Sequence, residues 1–326
     1  MNMIGTGRVL VLTIALIVAR PRGLSEAWAA VGGAAAMLAC GFVGPGDLLP
    51  VVREVSDVPL FLVGMVILTA VVERSGLFDL LALRTARAAR GSGLALFVGI
   101  FLLGFATTAL LSLDVTVLVL TPIVYALATR LRVKALPYLF VCTFVANTGS
   151  LLLPISNLTN LLAYGLLDLR FVNFARLMFW PQVAALVANI GIFLLIFRAD
   201  LPRRFDPQAL PRRPEGVNPR FLRVGATALA TVLAALLVAG LLSWPIAIPA
   251  IVGGATMLLV AAIWFNVGPR AIGREVSWSL IPFIIGMFTI IRRSSAGWRL
   301  AGTASAISCW SRSAPGWGRI SSTTSR

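Results

Sequence analysis

Two clusters of polar side chains lie inside long apolar runs. The first is Ser112-Leu113-Asp114-Val115-Thr116, followed by Thr121-Pro122. The second is Asn147-Thr148-Gly149-Ser150, then Leu151-Leu152-Leu153-Pro154, then Ser156-Asn157-Leu158-Thr159-Asn160. Hydroxyl, amide and carboxylate groups can hydrogen-bond a small polar ligand without a buried positive charge. Gly149 and Pro154 weaken helical hydrogen bonding, and the freed backbone groups must be satisfied by nearby side chains or by a ligand. Secondary transporters bind substrate at broken helices of this kind near the bilayer midplane. The candidate substrate-binding residues are therefore Ser112, Asp114, Thr116, Asn147, Thr148, Ser150, Ser156, Asn157 and Asn160. Asp114 is the one acidic residue read as deep in the membrane, where a carboxylate is tolerated if it lines a cavity. The chain has no histidine, so Asp114 is also the candidate proton carrier.

Plainer roles stand beside these. Serine and threonine in membrane helices often bond only to the preceding turn, which is the expectation for Thr107, Thr108 and Thr143. Asp114 can equally serve as a hydrogen-bond anchor for its turn. Cys142, one turn before Asn147, reads as a small buried thiol rather than a ligand.

The elements that must position these groups follow from composition. Apolar residues make up 59% of the 326 residues and charged residues 12%, against about 25% charged in a soluble domain. The chain is therefore read as an all-α integral membrane protein. Apolar runs predict helices near 5–19, 27–44, 58–73, 95–111, 114–129, 136–163, 178–197, 224–242, 246–265 and 279–291. Arg20-Pro21-Arg22 follows the first run where a signal peptide would carry small residues, so that helix is read as retained. No loop separates 95–111 from 114–129, which predicts a re-entrant hairpin over 95–129 or two helices joined by a very short turn. The segment 136–163 is expected to be a broken helix. Leucines and arginines over 77–91 predict an amphipathic helix on the membrane surface.

The net charge of +16 does not require a nucleic-acid partner, because the arginines fall between apolar runs. With the N-terminus outside, 18 basic residues lie inside, 4 outside and 6 in the C-terminal tail, as the positive-inside rule favours. The Pro- and Arg-rich stretch 198–223 reads as a cytoplasmic linker between a first repeat, 1–197, and the start of a second, 224–291. The repeat rests on Arg53-Glu54-Val55-Ser56, which recurs as Arg274-Glu275-Val276-Ser277. Each is followed by a helix carrying Gly-Met, at Gly64-Met65 and Gly286-Met287. The two copies face opposite ways in this topology, an inverted repeat. After Ile291 the composition changes abruptly. Residues 292–326 hold nine serines, six arginines, three tryptophans and no acid. They read as a solvated basic tail or, as preferred here, as sequence beyond a lost reading frame.

Three cysteines at Cys40, Cys142 and Cys309 form neither a disulfide framework nor a zinc motif. The sequence carries no phosphate loop, no nucleophile elbow and no metal-ligand cluster, which argues against an enzyme and against a resident cofactor.

The run from Leu111 to Val124, with Phe144-Val145-Ala146-Asn147-Thr148-Gly149-Ser150 and Ser156-Asn157-Leu158-Thr159-Asn160, resembles the arsenical pump membrane protein family of the ion transporter superfamily. The opening Arg20-Pro21-Arg22-Gly23-Leu24, the Gly44-Pro45-Gly46-Asp47 turn and Glu73-Arg74-Ser75-Gly76-Leu77-Phe78 resemble it too. The resemblance runs from about residue 8 to residue 291. It implies a bacterial inner-membrane carrier exporting arsenite or antimonite in exchange for protons, and so conferring arsenical resistance. Some members of the family work with a cytosolic arsenite-stimulated ATPase. It also implies two inverted repeats, each with a hairpin and a broken helix facing one substrate site. Ser112, Asp114 and Thr116 match the first hairpin tip, and Asn147, Ser150, Ser156, Asn157 and Asn160 match the broken helix. The sequence departs from the family at Leu113, commonly Asn, and at Asn147, often Asp; no second hairpin follows residue 291. The alternatives are another carrier of the superfamily, for sodium and protons or for an organic anion, and a truncated membrane remnant that does not transport.

Overall fold

Polar backbone groups inside a bilayer must pair within their own segment, which leaves helices as the economical solution for apolar runs of this length. The computed structural model describes residues 3–44, 46, 57–161, 171–207, 210–211, 214, 216–242, 244–274, 276 and 278–300. Among these the elements are helical and no strand occurs. In chain order they are α1 (Met3–Ala19), α2 (Glu26–Ala39), α3 (Asp57–Arg74), α4 (Leu77–Ala88), α5 (Gly93–Leu110) and α6 (Leu113–Arg130). Then follow α7 (Leu136–Thr148), α8 (Phe171–Phe197), α9 (Pro219–Leu242), α10 (Ala247–Phe265), the short α11 (Pro269–Gly273) and α12 (Leu280–Leu300). Five of them, α5, α6, α8, α9 and α10, are long and apolar enough to cross a membrane, and α3 with α4 makes a sixth if that bent pair is one span. The protein is a polytopic all-α membrane protein. Its exposed surface carries Leu118, Trp180, Val187, Leu195, Ile196, Leu259 and Ile263, a pattern that suits lipid and not water.

Several boundaries differ from the sequence expectation. Helix α8 starts at Phe171 and contains Pro181, because its first turns are apolar only in part. Helix α12 continues to Leu300, past the composition change at 291. Helix α9 begins at Pro219, inside the stretch read as linker. The first Arg-Glu-Val-Ser motif, Glu275, Ser277 and residues 301–326 lie outside the described residues.

The chain divides into two compact units, residues 1–59 with 277–326 and residues 60–276. In the first, α1, α2 and α12 pack around Met37, Val43 and Ile290. Helix α12 crosses α2 so closely that a Cβ on Gly286 would lie 2.8 Å from the Ala30 carbonyl carbon. In the second, α5, α6, α7 and α8 share a core that includes Phe97, Phe101, Leu120, Tyr138, Val145 and Phe193.

Three basic stretches meet on one face of the second unit. Phe205 N–H donates to Gly91 O at 2.9 Å. Arg87 Nη2 donates to Leu210 O at 3.2 Å, and Lys134 pairs with Asp200. The expected cytoplasmic linker is therefore folded onto the protein there, with Phe205 and Leu210 buried. Helices α3 and α4 meet at 62° through Gly76, whose φ of 78° suits a residue without a Cβ. Helix α4 is amphipathic, burying Leu77, Phe78, Ala82, Leu83 and Ala86 while Arg84 is exposed.

Candidate functional site

The hairpin places the first cluster. Leu111 and Ser112 alone join α5 to α6. Ser112 is extended and its hydroxyl accepts from Val115 N–H at 3.4 Å, capping α6. Asp114 sits in the first turn of α6, where a carboxylate complements the helix dipole. It is exposed and, among the described residues, has no hydrogen-bond or ion-pair partner. Immediately after it, Thr116–Leu120 form a π turn. Pro122 has no N–H, and the ladder adjusts: the Thr121 N–H and the Thr121 hydroxyl both donate to Thr116 O, the latter at 3.1 Å.

Thr116 belongs to the hairpin's interior, with 0% exposure. Its hydroxyl lies 2.7 Å from that of Thr108, and Thr108 donates to Gly104 O at 2.8 Å. The missing side chain of Gly104 lets α7 approach, since a Cβ there would meet Val145 Cγ1 at 2.6 Å. The first turn of α6 packs against α7 as well. The two polar clusters are thus neighbours across one helix contact.

The second cluster is a true helix break. Helix α7 ends at Thr148, a 3-10 turn covers Gly149–Leu151, and Leu153 is extended. Pro154–Ser156 form a second 3-10 turn, Asn157 is extended, and helix resumes over 158–161. Pro154 deprives Ser150 O of its helical donor. The Ser156 hydroxyl at 2.6 Å and Asn160 Nδ2 at 2.5 Å supply donors in its place. Ser150 Oγ donates to Asn147 O at 2.7 Å, and Asn157 Nδ2 donates to Ser150 Oγ at 3.3 Å. Asn157 Oδ1 accepts from the N–H and hydroxyl of Thr159. The break is stapled by its own side chains.

The nine candidates fall into two groups. Thr116, Ser150 and Ser156 are buried and hydrogen-bonded within these two elements. Asp114 and Asn147 are exposed, and Ser112, Thr148, Asn157 and Asn160 are half-buried. Asn147 and Thr148 bond only to carbonyls one turn back on α7, through Nδ2 at 3.2 Å and the hydroxyl at 2.9 Å, so each keeps acceptor capacity for a ligand. Thr107 and Thr143 likewise bond to the preceding turn, and Cys142 is buried.

One polar residue at the break was not among the candidates. Gln182 of α8 is 2% exposed. Its Oε1 accepts from Leu151 N–H at 3.1 Å and its Nε2 donates to Thr148 O at 2.9 Å. A lone glutamine following Pro181 within a long apolar helix was the available signal.

Comparison with known proteins decides the family. The citrate transporter family profile matches residues 11–321. The arsenical pump membrane protein of Escherichia coli strain K12 is 32% identical over 293 residues, covering 89% of this chain and 68% of that protein. The chain belongs to the arsenical pump membrane protein family. The namesake from Yersinia enterocolitica is 31% identical with the same coverage. An uncharacterised transporter of Synechocystis is 27% identical over 232 residues, covering 70% of this chain and 51% of that protein. As a member of this family the chain is a multi-pass bacterial membrane transporter, not an enzyme.

Proposed function

We propose that this family member exports arsenite and antimonite across the inner membrane in exchange for protons. The observation that carries the reading is the Asp114 carboxylate, without a partner among the described residues, in a turn that packs against α7, the helix that carries Asn147 and Thr148. Arsenite near neutral pH is an uncharged trihydroxide. Amide, hydroxyl and carboxylate groups match its three hydroxyls, which both donate and accept. Asp114 would take up a proton on one side and release it on the other, with Ser112, Asn147, Thr148, Asn157 and Asn160 holding the substrate. Thr116, Ser150 and Ser156 would serve this site by shaping its backbone.

An organic anion such as citrate fits less well. Residues 93–129 and 135–169 contain no lysine or arginine. Asp114 and the Ser112 cap already occupy the N-terminal end of α6, which an anion would otherwise use.

We also read the architecture as an inverted repeat, on a pattern beyond the sequence motifs. Val31-Gly32-Gly33-Ala34 stands 22 residues before Arg53, and Val252-Gly253-Gly254-Ala255 stands 22 residues before Arg274. The Gly-Met helix of each copy crosses the Val-Gly-Gly helix of the other, Gly64 at Ala250 and Gly286 at Ala30. The hairpin is read as re-entrant in this scheme.

The test is uptake of arsenite into everted membrane vesicles under an imposed pH gradient. Accumulation that collapses with a protonophore is the expected result. Gradient-driven citrate or sodium movement with no arsenite movement would replace the reading by another superfamily carrier. No movement of any of the three would make the chain a non-transporting remnant.

A further inference from the structure

A broken helix is useful for binding only if the break has one shape. Unpaired N–H and C=O groups at membrane depth would otherwise let the two halves refold or slip. The internal staples of this break hold Ser150 O and Asn147 O. Thr148 O and Leu151 N–H, the two backbone groups that close the 3-10 turn over Gly149–Leu151, stand on opposite sides of the Gly149–Ser150 step. Both are met by one side chain, Gln182.

We propose that Gln182 is a positioning residue, whose carboxamide clamps Thr148 O and Leu151 N–H and so orients Asn147 and Asn157 toward the transported ligand. The amide orientation is unambiguous, because a carbonyl requires the NH₂ group and an N–H requires the oxygen. Gln182 is buried and lies on a neighbouring helix, so the clamp joins α8 to the break rather than bracing the break from within. Pro181 stands directly before it, so the α8 ladder lacks an N–H one residue before the side chain that reaches across. The assignment of a ligand to Asn147 and Asn157 rests on the proposed arsenite reading; the clamp itself does not.

The experiment uses the full chain in lipid nanodiscs, with arsenite, citrate and sodium as separate probes. Amide exchange of the segment 144–156 reads the clamp without any ligand. Gln182→Met keeps side-chain length and apolar packing but removes both hydrogen bonds. Exchange at this segment is expected to quicken, and the dissociation constant of the bound probe to rise about tenfold, the scale of losing two modest hydrogen bonds. The melting temperature of the whole chain is expected to fall modestly, as for two lost hydrogen bonds.

Gln182→Glu supplies the signature that a merely structural residue would lack. Its carboxylate accepts from Leu151 N–H but repels Thr148 O, whereas the protonated acid does both tasks of the amide. Affinity in this variant is expected to recover as pH falls, relative to wild type at the same pH.

Unchanged exchange in Gln182→Met would overturn the clamp. Faster exchange with unchanged affinity would overturn the positioning role. If the wild type binds citrate or sodium and not arsenite, the arsenite reading fails alone, and Gln182 is judged on the probe that binds. A wild type that binds none of the three overturns both.

Discussion

Gly64 crosses Ala250 at a separation that leaves no room for a side chain: a Cβ on Gly64 would sit 2.4 Å from the Ala250 carbonyl carbon. The contact joins α3 to α10, and the Gly286–Ala30 contact joins α12 to α2. Each unit therefore combines helices from the two halves of the chain. Replacing Gly64 with valine is expected to force the backbones apart at a cost of about 1–3 kcal/mol. Gly286→Val is expected to cost a similar amount. Thermal melts in detergent, followed by size-exclusion fluorescence, would measure both. A Gly64→Val protein as stable as wild type would show that the crossing relaxes freely.

Thr116 is expected to act through structure. Thr116→Val removes its hydroxyl from Thr108, which keeps its own bond to Gly104 O. The expected loss is about 1 kcal/mol of stability. The double variant with Thr108→Val is expected to cost less than the sum of the two singles, because the hydroxyls are direct partners. Additive melting shifts would count against a shared bond.

Asp114→Asn separates charge from shape. The side chain is exposed and has no partner among the described residues, so insertion and melting are expected to be unchanged. Proton-driven arsenite uptake is expected to fall by at least about tenfold, as for loss of a group that must carry a proton. Wild-type uptake in this variant would remove Asp114 from the coupling step.

The two asparagines give a paired test. The Asn147 side chain donates to Thr143 O one turn back on its own helix, whereas that of Asn157 donates to Ser150 Oγ across the break and accepts from Thr159 beside it. Asn147→Ala is expected to raise the half-saturating arsenite concentration with stability intact. Asn157→Ala is expected to raise it and also to lose about 1–2 kcal/mol of stability. The readouts are vesicle uptake and melting. An Asn157→Ala protein of wild-type stability would show that the break is held by the remaining bonds alone.

Much of this was legible from residue order. Long apolar runs with few charges have no stable place in water, and so the helices near 58–73, 95–111 and 246–265 were expected and are present. Gly149 and Pro154 announced the break, because neither residue supports a helical ladder there. The amphipathic α4 followed from leucine and arginine spacing alone. Other features were hidden for definite reasons. Pro219 looked like linker composition, yet it opens α9, since proline is accepted in a first helical turn. The Pro- and Arg-rich stretch gave no sign that Phe205 and Leu210 would be buried, since that depends on what lies opposite them.

By itself the sequence determined the solvent this chain lives in, the elements it forms, the place where one helix must break and the family to which it belongs. These are properties of local pattern: hydropathy over about 20 residues, backbone geometry at glycine and proline, and motif spacing. Only the tertiary structure decided which polar groups are spoken for. It turned Thr116, Ser150 and Ser156 inward and left Asp114 exposed. It also brought Gln182, 31 residues from Leu151, onto the break. Such partnerships follow from how helices pack, and packing joins residues that no local pattern relates.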